Sequence, residues 1–301
     1  MMHRLLSGVT LAVTTALLLG ACGSSGSSGP SSGAKSFRTV LVVNGTLGDK
    51  GFFDSADSGM QRMHSDLGAQ IKVIQSSPTD PAQWLQNLDA VSGKNYDLVV
   101  TGSSQMTDNV NKVAAADPKQ KFIFFDDVSK EPNVANIRYK QNEGSFLAGV
   151  LAAIVTTDTK SFSLSKAGKS VGLVGGQNIP VINDFVVGFQ KGVQSVDPNI
   201  KVLTSYVGSF NDPQTAYNQT TQMYNSGADI VYAVAGGSGL GVLKASQAAN
   251  RYSIGVDSDQ NGLYPGHVVA SMVKRVDNWI FDLAKEYQQG KLQFGKTYLS
   301  R

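Results

Sequence analysis

The sequence has a single cysteine, Cys22, so no disulfide can form within the chain. It has only three histidines, and His3 falls in the leader described below, which leaves too few ligands for a His/Cys metal cluster. The net charge of +3 over 301 residues lacks the strong basic excess expected of a nucleic-acid-binding protein. These scarcities predict a chain stabilised by packed cores, with no nucleic-acid partner, no metal and no cofactor.

The N-terminal segment has the organisation of a secretion signal. Arg4 supplies a positive charge, and residues 11–19 supply an apolar run far shorter than the roughly 20 residues of a membrane span. Small residues at 20 and 21 precede Cys22, and this pattern resembles the lipobox of bacterial lipoproteins, whose cysteine is lipidated. The alternative is a buried free cysteine, but the Gly/Ser tract that follows offers no core to bury it. We therefore predict a signal peptide over 1–21.

The tract after Cys22 is predicted to be a tether. Residues 23–33 are almost entirely glycine and serine, with too little apolar surface to fold, so they are expected to behave as a flexible coil. Residues 22–36 would thus hold a globular body to the extracytoplasmic face of the cell membrane through a lipid on Cys22.

From Phe37 onwards, short apolar runs alternate with helical patterns. Runs that are apolar throughout are typical of strands covered on both faces, and the alternation favours an α/β fold with parallel sheets. The predicted strands are 39–43, 70–74, 98–101, 122–125, 134–139, 170–174, 201–206, 230–234, 252–256 and 268–272. The predicted helices are 52–67, 81–92, 106–116, 143–155, 181–196, 213–226, 240–249 and 275–289.

Ten strands are many for one sheet, so we predict two Rossmann-like lobes with a ligand cleft at the carboxyl ends of their strands. The first lobe would comprise 37–141 plus about 261–289, and the second 142–260 plus about 290–301. The chain stops shortly after its last predicted helix, and we expect the second lobe to be truncated there.

Five segments together resemble the Bmp/PnrA family of ABC-transporter substrate-binding lipoproteins. They are GDKGFFDSA at 48–56, QNEGSFLAG at 141–149, VGG at 174–176 continuing to 189, YVGSFNDP at 206–213, and GVDSDQ at 255–260 leading to SMVKR at 271–275. The resemblance implies a type I periplasmic-binding (Venus-flytrap) fold that binds purine or related nucleosides for import through an ABC permease. It implies no catalysis, and no catalytic constellation stands out.

Two charged residues are candidates for the ribose. Asp257 ends a predicted strand, where a carboxylate can accept hydrogen bonds from two vicinal hydroxyls. Lys274 ends a later strand and can donate to the same hydroxyls while neutralising Asp257. In the family these positions resemble ribose ligands. The alternative is a structural ion pair across the hinge.

Aromatic residues are candidates for stacking on a nucleobase, which has two apolar faces. Phe210 lies in a polar turn after a strand, and Phe52 and Phe53 lie in the other lobe. The family motif usually reads DKSFND, whereas this chain has Gly51 and Phe53 at its third and fifth positions. The family also commonly has an aromatic residue at the position of Asp57, so we expect Phe53 to take that role here.

Two carboxylates and one glycine complete the candidate ligand-binding site. Asp49 precedes the Phe52 helix and is either a helix cap or a group that reads a base edge. Asp126 follows an apolar strand and either accepts from a purine N–H or caps the next turn. Gly237 lies in GGSGLG, which lacks the third glycine of a dinucleotide fingerprint because Val242 occupies that position, so it is expected to admit a sugar close to the backbone.

Two serines follow another strand end and leave two interpretations open. Ser103 and Ser104 are either ligand contacts or a helix cap, and we favour the cap. Asn44 opens a glycosylation triplet that a bacterial lipoprotein has no reason to use.

The sequence therefore predicts a membrane-tethered receptor that closes two lobes on a nucleoside and delivers it to a permease. A second reading keeps the fold but binds a sugar or another polyhydroxy compound. A third is a signalling or adhesion lipoprotein. An enzyme such as a nucleoside hydrolase is least favoured, since no metal-binding aspartate cluster is evident.

Overall fold

Within the 301-residue chain, the computed structural model describes residues 36–300. The strands are β1 (Arg38–Val43), β2 (Gln70–Gln75), β3 (Leu98–Gly102), β4 (Lys121–Phe125), β5 (Val134–Arg138), β6 (Ser170–Gly175), β7 (Lys201–Tyr206), β8 (Ile230–Val234), β9 (Tyr252–Asp257), β10 (Val268–Val273) and β11 (Thr297–Leu299). The α-helices are α1 (Phe52–Leu67), α2 (Pro81–Val91), α3 (Thr107–Ala116), α4 (Gln141–Thr157), α5 (Pro180–Val196), α6 (Pro213–Asn225), α7 (Gly239–Ala248) and α8 (Val276–Gln288).

The strands form two separate parallel sheets. The first has the order β11-β5-β4-β3-β1-β2 and the second the order β10-β9-β8-β6-β7. All strand pairs that join neighbours in these sheets are parallel. Parallel neighbours require crossover connections, and helices α1 to α7 supply most of them. The predicted α/β fold with two parallel-sheet lobes is confirmed.

Each sheet is buried on both faces. In the first lobe, β1 to β5 lie between one core that includes Leu41, Met60 and Ile280 and another that includes Val40, Trp84 and Phe122. In the second lobe, the two faces of the sheet carry separate cores around Phe189 and Val231. Burial on both faces is the reason that the central strands read as continuous apolar runs.

Local signals set the helix boundaries close to their predicted positions. At the start of α2, the Asp80 carboxylate accepts from the N–H groups of Ala82 and Gln83, and Pro81 occupies the first helical turn. At the end of α1, Gly68 has a φ of +66°, the left-handed conformation that stops a helix at little cost for glycine. All eight predicted helices and ten predicted strands are present, with ends within two residues of expectation for most.

The C-terminal part of the chain differs from the predicted lobe boundaries. Strand β10 pairs with β9 in the second sheet, although 261–289 was expected in the first lobe. Helix α8 within that range does pack on α1 of the first lobe, as expected. Strand β11 pairs with β5 in the first sheet, so the expectation that 290–301 belongs to the second lobe was wrong. The side chain of Tyr298 packs against the first lobe's core, which explains the placement.

Within the described residues, 36–300, two crossovers connect the lobes. The chain passes from β5 to α4 through Tyr139 and Lys140, and returns from β10 to α8 through Lys274 and Arg275. The two crossovers lie side by side, since the Lys274 Nζ is 4.9 Å from the centre of the Tyr139 ring. Among residues 36–300, no helix has both the length and the apolar character to cross a membrane. The predicted leader, Cys22 and almost all of the predicted tether lie outside the described residues.

Candidate functional site

A cavity of about 450 Å³ lies between the carboxyl ends of the two sheets. In the first lobe it is lined by residues that follow β1 and β3, and in the second by residues that follow β6 and β8. Strand order reverses between β1 and β3 and between β6 and β8, so the cavity lies at the topological switch points where open α/β sheets bind ligands. Its volume falls in the roughly 300–1,000 Å³ range of small-molecule sites.

The structure brings all of the predicted ligand-binding residues to this one cavity. Those from the first lobe are Asp49, Phe52, Phe53 and Asp126, and those from the second lobe and its crossover are Phe210, Gly237, Asp257 and Lys274. The juxtaposition is a geometric finding, and ligand contact at these positions stays a prediction. Asp57 on α1, where the family commonly has an aromatic residue, does not line the cavity.

Lys274 forms its ion pair with Asp126 and not, as expected, with Asp257. The Lys274 ammonium bonds an Asp126 carboxylate oxygen, and both side chains are almost completely buried. Three rings surround the ammonium, with centres 4.9 Å (Tyr139), 5.2 Å (Phe52) and 5.4 Å (Phe185) from Nζ, where the negative face of a ring favours a cation. An ion pair near the hinge is thus present, but it joins Lys274 to Asp126 and not to Asp257.

Asp257 is held by its backbone, whose carbonyl accepts from the Lys274 N–H at 2.9 Å, and not by its side chain. Its carboxylate accepts no hydrogen bond from any residue of the described part of the chain, although Asp257 is 7% exposed. Its φ of +67° is unusual for a residue other than glycine and turns the side chain away from the course of β9. Burial, reinforced by the charges of Asp49 and Asp126, outweighs the attraction of Lys274 and raises the pKa of Asp257 to about 7.

Asp49 caps the start of helix α1, which is one of the two roles expected from the sequence. Its two carboxylate oxygens accept from the N–H groups of Gly51 at 2.9 Å, Phe53 at 2.8 Å and Asp54 at 3.1 Å. These groups are among the unpaired donors at the start of α1, where the helix dipole also favours a negative charge. Burial nevertheless raises the pKa of Asp49, against the opposing effect of the three hydrogen bonds. Recognition of a base edge by the remaining lone pairs stays untested.

Asp126 is likewise buried beside the cavity. It follows β4 with a φ of +75°, so it too occupies a backbone conformation that is rare for residues with a side chain. Burial raises its pKa, while the Lys274 ammonium acts in the opposite direction.

Phenylalanine rings from both lobes reach the cavity. Phe52 lies 5.2 Å from Phe53 and 5.4 Å from the core residue Phe125, measured between ring centres. The Phe53 ring covers Gly45, where a Cβ atom would lie only 2.6 Å from it. The Phe210 ring covers Gly176 in the same way, at 2.3 Å. Because these glycines leave room for the rings, Phe53 and Phe210 are held in place on opposite sides of the cleft.

Gly237 and the two serines have mainly local roles in this structure. A Cβ atom at Gly237 would lie 3.2 Å from the Phe210 carbonyl oxygen and 3.7 Å from the Cβ of Asp49 in the other lobe. The hydroxyl of Ser103 accepts from the N–H of Gln105, which confirms the favoured cap. Ser103 and Ser104 both line the cavity as well.

Sequence reasoning missed a row of amides and one tryptophan. The Asn44 Nδ2 donates to Gln105 Oε1 at 3.2 Å, and Gln105 Nε2 donates across the cleft to Gln177 Oε1 at 3.2 Å. Asn44 is buried, and its Oδ1 has no partner within the described residues. Trp84 of α2 lines the same cavity, its indole N–H held by the Ser77 carbonyl at 2.6 Å. The position of Asn44 directly after an apolar strand was the available signal.

The cavity carries an excess of negative charge. Its ionisable lining groups are Asp49, Asp126, Asp257 and Lys274, which gives three acids to one base when all are charged. Within residues 36–300, no group of three His, Cys, Asp or Glu side chains is arranged to hold a metal ion. The arrangement therefore suits a neutral ligand with hydroxyl or N–H donors and a flat apolar face.

Comparison with known proteins agrees with this geometry. The family model described as "ABC transporter substrate-binding protein PnrA-like" (Bmp) matches residues 37–299. Basic membrane protein D of Borreliella burgdorferi is 32% identical over 289 residues, covering 93% of this chain and 80% of that protein. The CD4+ T-cell-stimulating antigen of Listeria innocua is 30% identical over 313 residues, covering 95% and 84%.

Solved structures give the same fold. A solute-binding protein of an ABC transporter system from Aeropyrum pernix has a TM-score of 0.81 at 26% identity, covering 88% of this chain and 74% of that one. An ABC transporter solute-binding protein from Burkholderia graminis, solved with D-arabinose, has a TM-score of 0.65 at 17% identity, covering 89% and 94%. At that identity the second likeness establishes the fold alone.

Proposed function

The chain belongs to the Bmp family of PnrA-like ABC transporter substrate-binding proteins, and on this basis we propose that its ligand is a nucleoside, with a purine base preferred. Family and fold are those of binding proteins rather than enzymes, with a small-molecule ligand and an ABC permease as partner. Proteins of this family act outside the cytoplasm in association with the membrane. The proposal therefore concerns which small molecule the cavity accepts.

The observation that carries the proposal is the buried carboxylate of Asp257, which accepts no hydrogen bond from residues 36–300 and lines the same cavity as Phe53 and Phe210. A buried carboxylate without hydrogen bonds is costly, and two vicinal hydroxyls of a ribose can donate to both of its oxygens. Ligand binding would thus supply hydrogen bonds that no residue in the described part of the chain donates to this carboxylate. Lys274, already paired with Asp126, contributes its positive charge and its remaining N–H donors to the same end of the cavity.

The rings support a heterocycle at the other end of the ligand. Phe53 from the first lobe and Phe210 from the second face a common space, and Trp84 adds a third aromatic surface. Offset stacking contributes roughly 0.5–1.5 kcal/mol per ring pair beyond the burial of area. The unpartnered Oδ1 of Asn44 supplies an acceptor for an N–H donor of a base edge.

The proposed mechanism is hinge closure. Ligand contacts are divided between two lobes that adjacent crossovers connect, so a bound ligand stabilises the closed arrangement over the open one. The closed form would then be presented to the permease.

Titration calorimetry with adenosine, guanosine, cytidine and ribose tests this proposal. We expect both purine nucleosides to bind more tightly than cytidine, and ribose to bind most weakly because it lacks a stacking surface. Ribose bound as tightly as the nucleosides would instead favour the sugar-binding alternative. Chromatography of the recovered ligand checks that it is unchanged, since release of the free base would contradict a binding protein.

We also propose that a lipid on Cys22 anchors the mature protein. The lipobox resemblance and the Gly/Ser tract after it support this, and both lie in the segment before the described residues. Fractionation of cells that express the wild type and Cys22→Ala tests the anchor. The wild type is expected in the membrane fraction and the variant in the soluble or secreted fraction, whereas equal membrane retention would contradict lipidation.

A further inference from the structure

We propose that Gln260 and Ser258 are positioning residues that hold the ligand-binding loop 48–54 in place when the lobes close. The Gln260 Nε2 donates to the Lys50 carbonyl oxygen at 3.0 Å, and the Ser258 Oγ donates to the Gly51 carbonyl oxygen at 3.2 Å. We call these two hydrogen bonds the cross-cleft contact. The inference rests on the proposed function only for the identity of the ligand.

Hydrogen bonds within the first lobe hold loop 48–54, which accepts the cross-cleft contact. Asp49 accepts from three N–H groups of the loop, as described above, and the Asp54 carboxylate accepts from the N–H groups of Gly48 at 2.6 Å and Lys50 at 3.0 Å. Lys50 has a φ of +54°, which these reciprocal bonds maintain. With its N–H groups turned inward, the loop presents the carbonyls of Lys50 and Gly51 to the second lobe.

Hydrogen bonds within the second lobe likewise hold Gln260, which donates one bond of the cross-cleft contact. Gln260 is 3% exposed, its Oε1 accepts from the Val256 N–H at 3.0 Å, and its own N–H donates to the Ser271 hydroxyl at 3.0 Å. A Cβ atom at position 255 would lie 2.7 Å from both the Gln260 Oε1 and the Ser271 Oγ, so Gly255 permits this packing. Because the amide oxygen is committed to Val256, the amide nitrogen must point to Lys50.

The cross-cleft contact therefore joins two surfaces that each lobe holds with its own hydrogen bonds. The loop that they hold carries Asp49, Phe52 and Phe53, all of which line the cavity, while Asp257 stands next to Ser258 in sequence. A Cβ atom at Gly51 would lie 3.6 Å from both Asp257 Oδ2 and Gln260 Nε2, which shows how close the cross-cleft contact is to the unpartnered carboxylate. The cross-cleft contact thus sets the position of the first-lobe aromatic rings relative to Asp257.

Two substitutions remove the donors with little change in shape. Gln260→Glu keeps an oxygen for the Val256 N–H but replaces the donor that faces Lys50 with a second acceptor. Ser258→Ala removes the other donor without adding charge near Asp257. Each is expected to weaken nucleoside binding about tenfold, mainly through faster dissociation, because the cross-cleft contact forms after encounter.

Two controls separate positioning from general loss of structure. Ser258→Thr keeps the hydroxyl and is expected to bind like the wild type. Leu263→Ala changes an exposed apolar side chain that follows Gln260 and does not line the cavity, and it is also expected to leave affinity unchanged. Equal dissociation rates for Gln260→Glu, Ser258→Ala and the wild type would overturn the proposal.

An inter-lobe distance measurement keeps the result separate from the fate of the nucleoside proposal. Spin labels are attached at two exposed positions, one on each lobe, through Lys112→Cys and Lys191→Cys, in a chain that also carries Cys22→Ser. The distance between the two labels reports closure. If nucleosides close the wild type, the two donor-removing variants should need about ten times more ligand for the same closed fraction. If no nucleoside closes the wild type, the proposed ligand is wrong, and the distances between the two labels without ligand test the cross-cleft contact. A smaller closed fraction in the variants than in the wild type supports the cross-cleft contact. Identical distance distributions overturn it.

Discussion

At the scale of single residues, the carboxylate of Asp257 is the most informative group in the protein. It is buried, it has no hydrogen-bond partner among residues 36–300, and it adopts a φ of +67° at the end of β9. A positive φ at a residue with a side chain and a buried carboxyl group with a raised pKa are both typical of functional sites. The protonation of this group should therefore affect both ligand affinity and the stability of the fold.

Nucleoside affinity is expected to fall as the pH is lowered through 7. Burial raises the pKa of Asp257 to about 7, and the ionised form is the one that accepts from both ribose hydroxyls. Between pH 8 and pH 6 the dissociation constant should rise about tenfold, as the carboxylate becomes mostly protonated. Calorimetry across this range measures it. Asp257→Asn is the matched control, with weak binding and a flat profile over the same range. A wild-type profile as flat as that of the variant would contradict the role of Asp257.

The stability of the ligand-free protein is expected to show the opposite trend. The pKa of Asp257 is about 7 when folded and near 3.8 when unfolded, so the folded state binds more protons between these values. Its contribution to the free energy of unfolding therefore decreases as the pH rises from about 4 to about 7. Urea unfolding at several pH values should show Asp257→Asn gaining stability relative to the wild type along this interval. A constant difference between the two would contradict the raised pKa.

Replacement of the Phe210 ring tests the stacking surface. Phe210→Ala removes an aromatic face but leaves Asp257 and Lys274 in place, so affinity for purine nucleosides should fall by about 1–3 kcal/mol while any affinity for ribose changes little. Phe210→Tyr keeps a ring and serves as the control. Equal losses for nucleosides and ribose would indicate that the ring supports the fold instead of the base.

Residue types at strand ends were predictable, but their pairing was not. Asp126, Asp257 and Lys274 were all recognised from their positions after apolar runs. The sequence favoured Lys274 with Asp257, because both end predicted strands and could bind the same ribose hydroxyls. In the structure the lysine lies at the crossover and reaches Asp126 of the first lobe, a contact between residues 148 positions apart.

At the scale of elements, the close packing of α4 on α5 depends on glycine. A Cβ atom at Gly192 would lie 2.0 Å from the Phe146 carbonyl oxygen, and one at Gly149 would lie 2.1 Å from that of Phe189. Both contacts are with backbone, which cannot rotate away as a side chain can. Helix α4 begins directly after the first crossover, and α5 carries Phe185, which lines the cavity.

Gly192→Ala is therefore expected to destabilise the second lobe. Overpacking against backbone costs about 1–3 kcal/mol, which outweighs the better helix propensity of alanine. Gly239→Ala is the matched control, since a Cβ atom there meets only ordinary contacts at 3.5 Å and alanine suits a helix. Thermal unfolding should show a lower midpoint for Gly192→Ala alone. Equal midpoints for both variants would contradict the packing argument.

Secondary structure was largely predictable because the central strands, such as β1, β3, β6 and β8, are buried on both faces and read as apolar runs. The exception is β11, which has only three residues and was not recognised as a strand. Two of these three side chains are exposed, so the segment has no apolar run to identify it. Its pairing with β5 arises from hydrogen bonds to an available sheet edge, which leave no pattern in the sequence.

At the scale of the whole molecule, ligand binding is expected to compact the protein. The structure has hydrogen bonds that join the lobes directly, including Gln105 to Gln177 and Gln260 to Lys50, and these require a closed cleft. Small-angle X-ray scattering should show a smaller radius of gyration when a purine nucleoside is added. At a concentration of 100 times the dissociation constant, the ligand should also add about 2.7 kcal/mol to the free energy of unfolding.

Asp257→Asn is the control for compaction, since it should show neither change at the same nucleoside concentration. A wild-type radius that stays constant while calorimetry reports binding would contradict hinge closure as the mechanism.

The amino-acid sequence by itself determined the elements, the parallel sheets, the family and the residue types at the strand ends, because these depend on local periodicity and short motifs. The tertiary structure decided which lobe each C-terminal segment joins, which acid Lys274 neutralises, and that Asn44, Gln105 and Trp84 share the cavity. These outcomes depend on contacts between segments far apart in the chain. Their energies depend on distance and burial in three dimensions, and neither is encoded in any local pattern of residues.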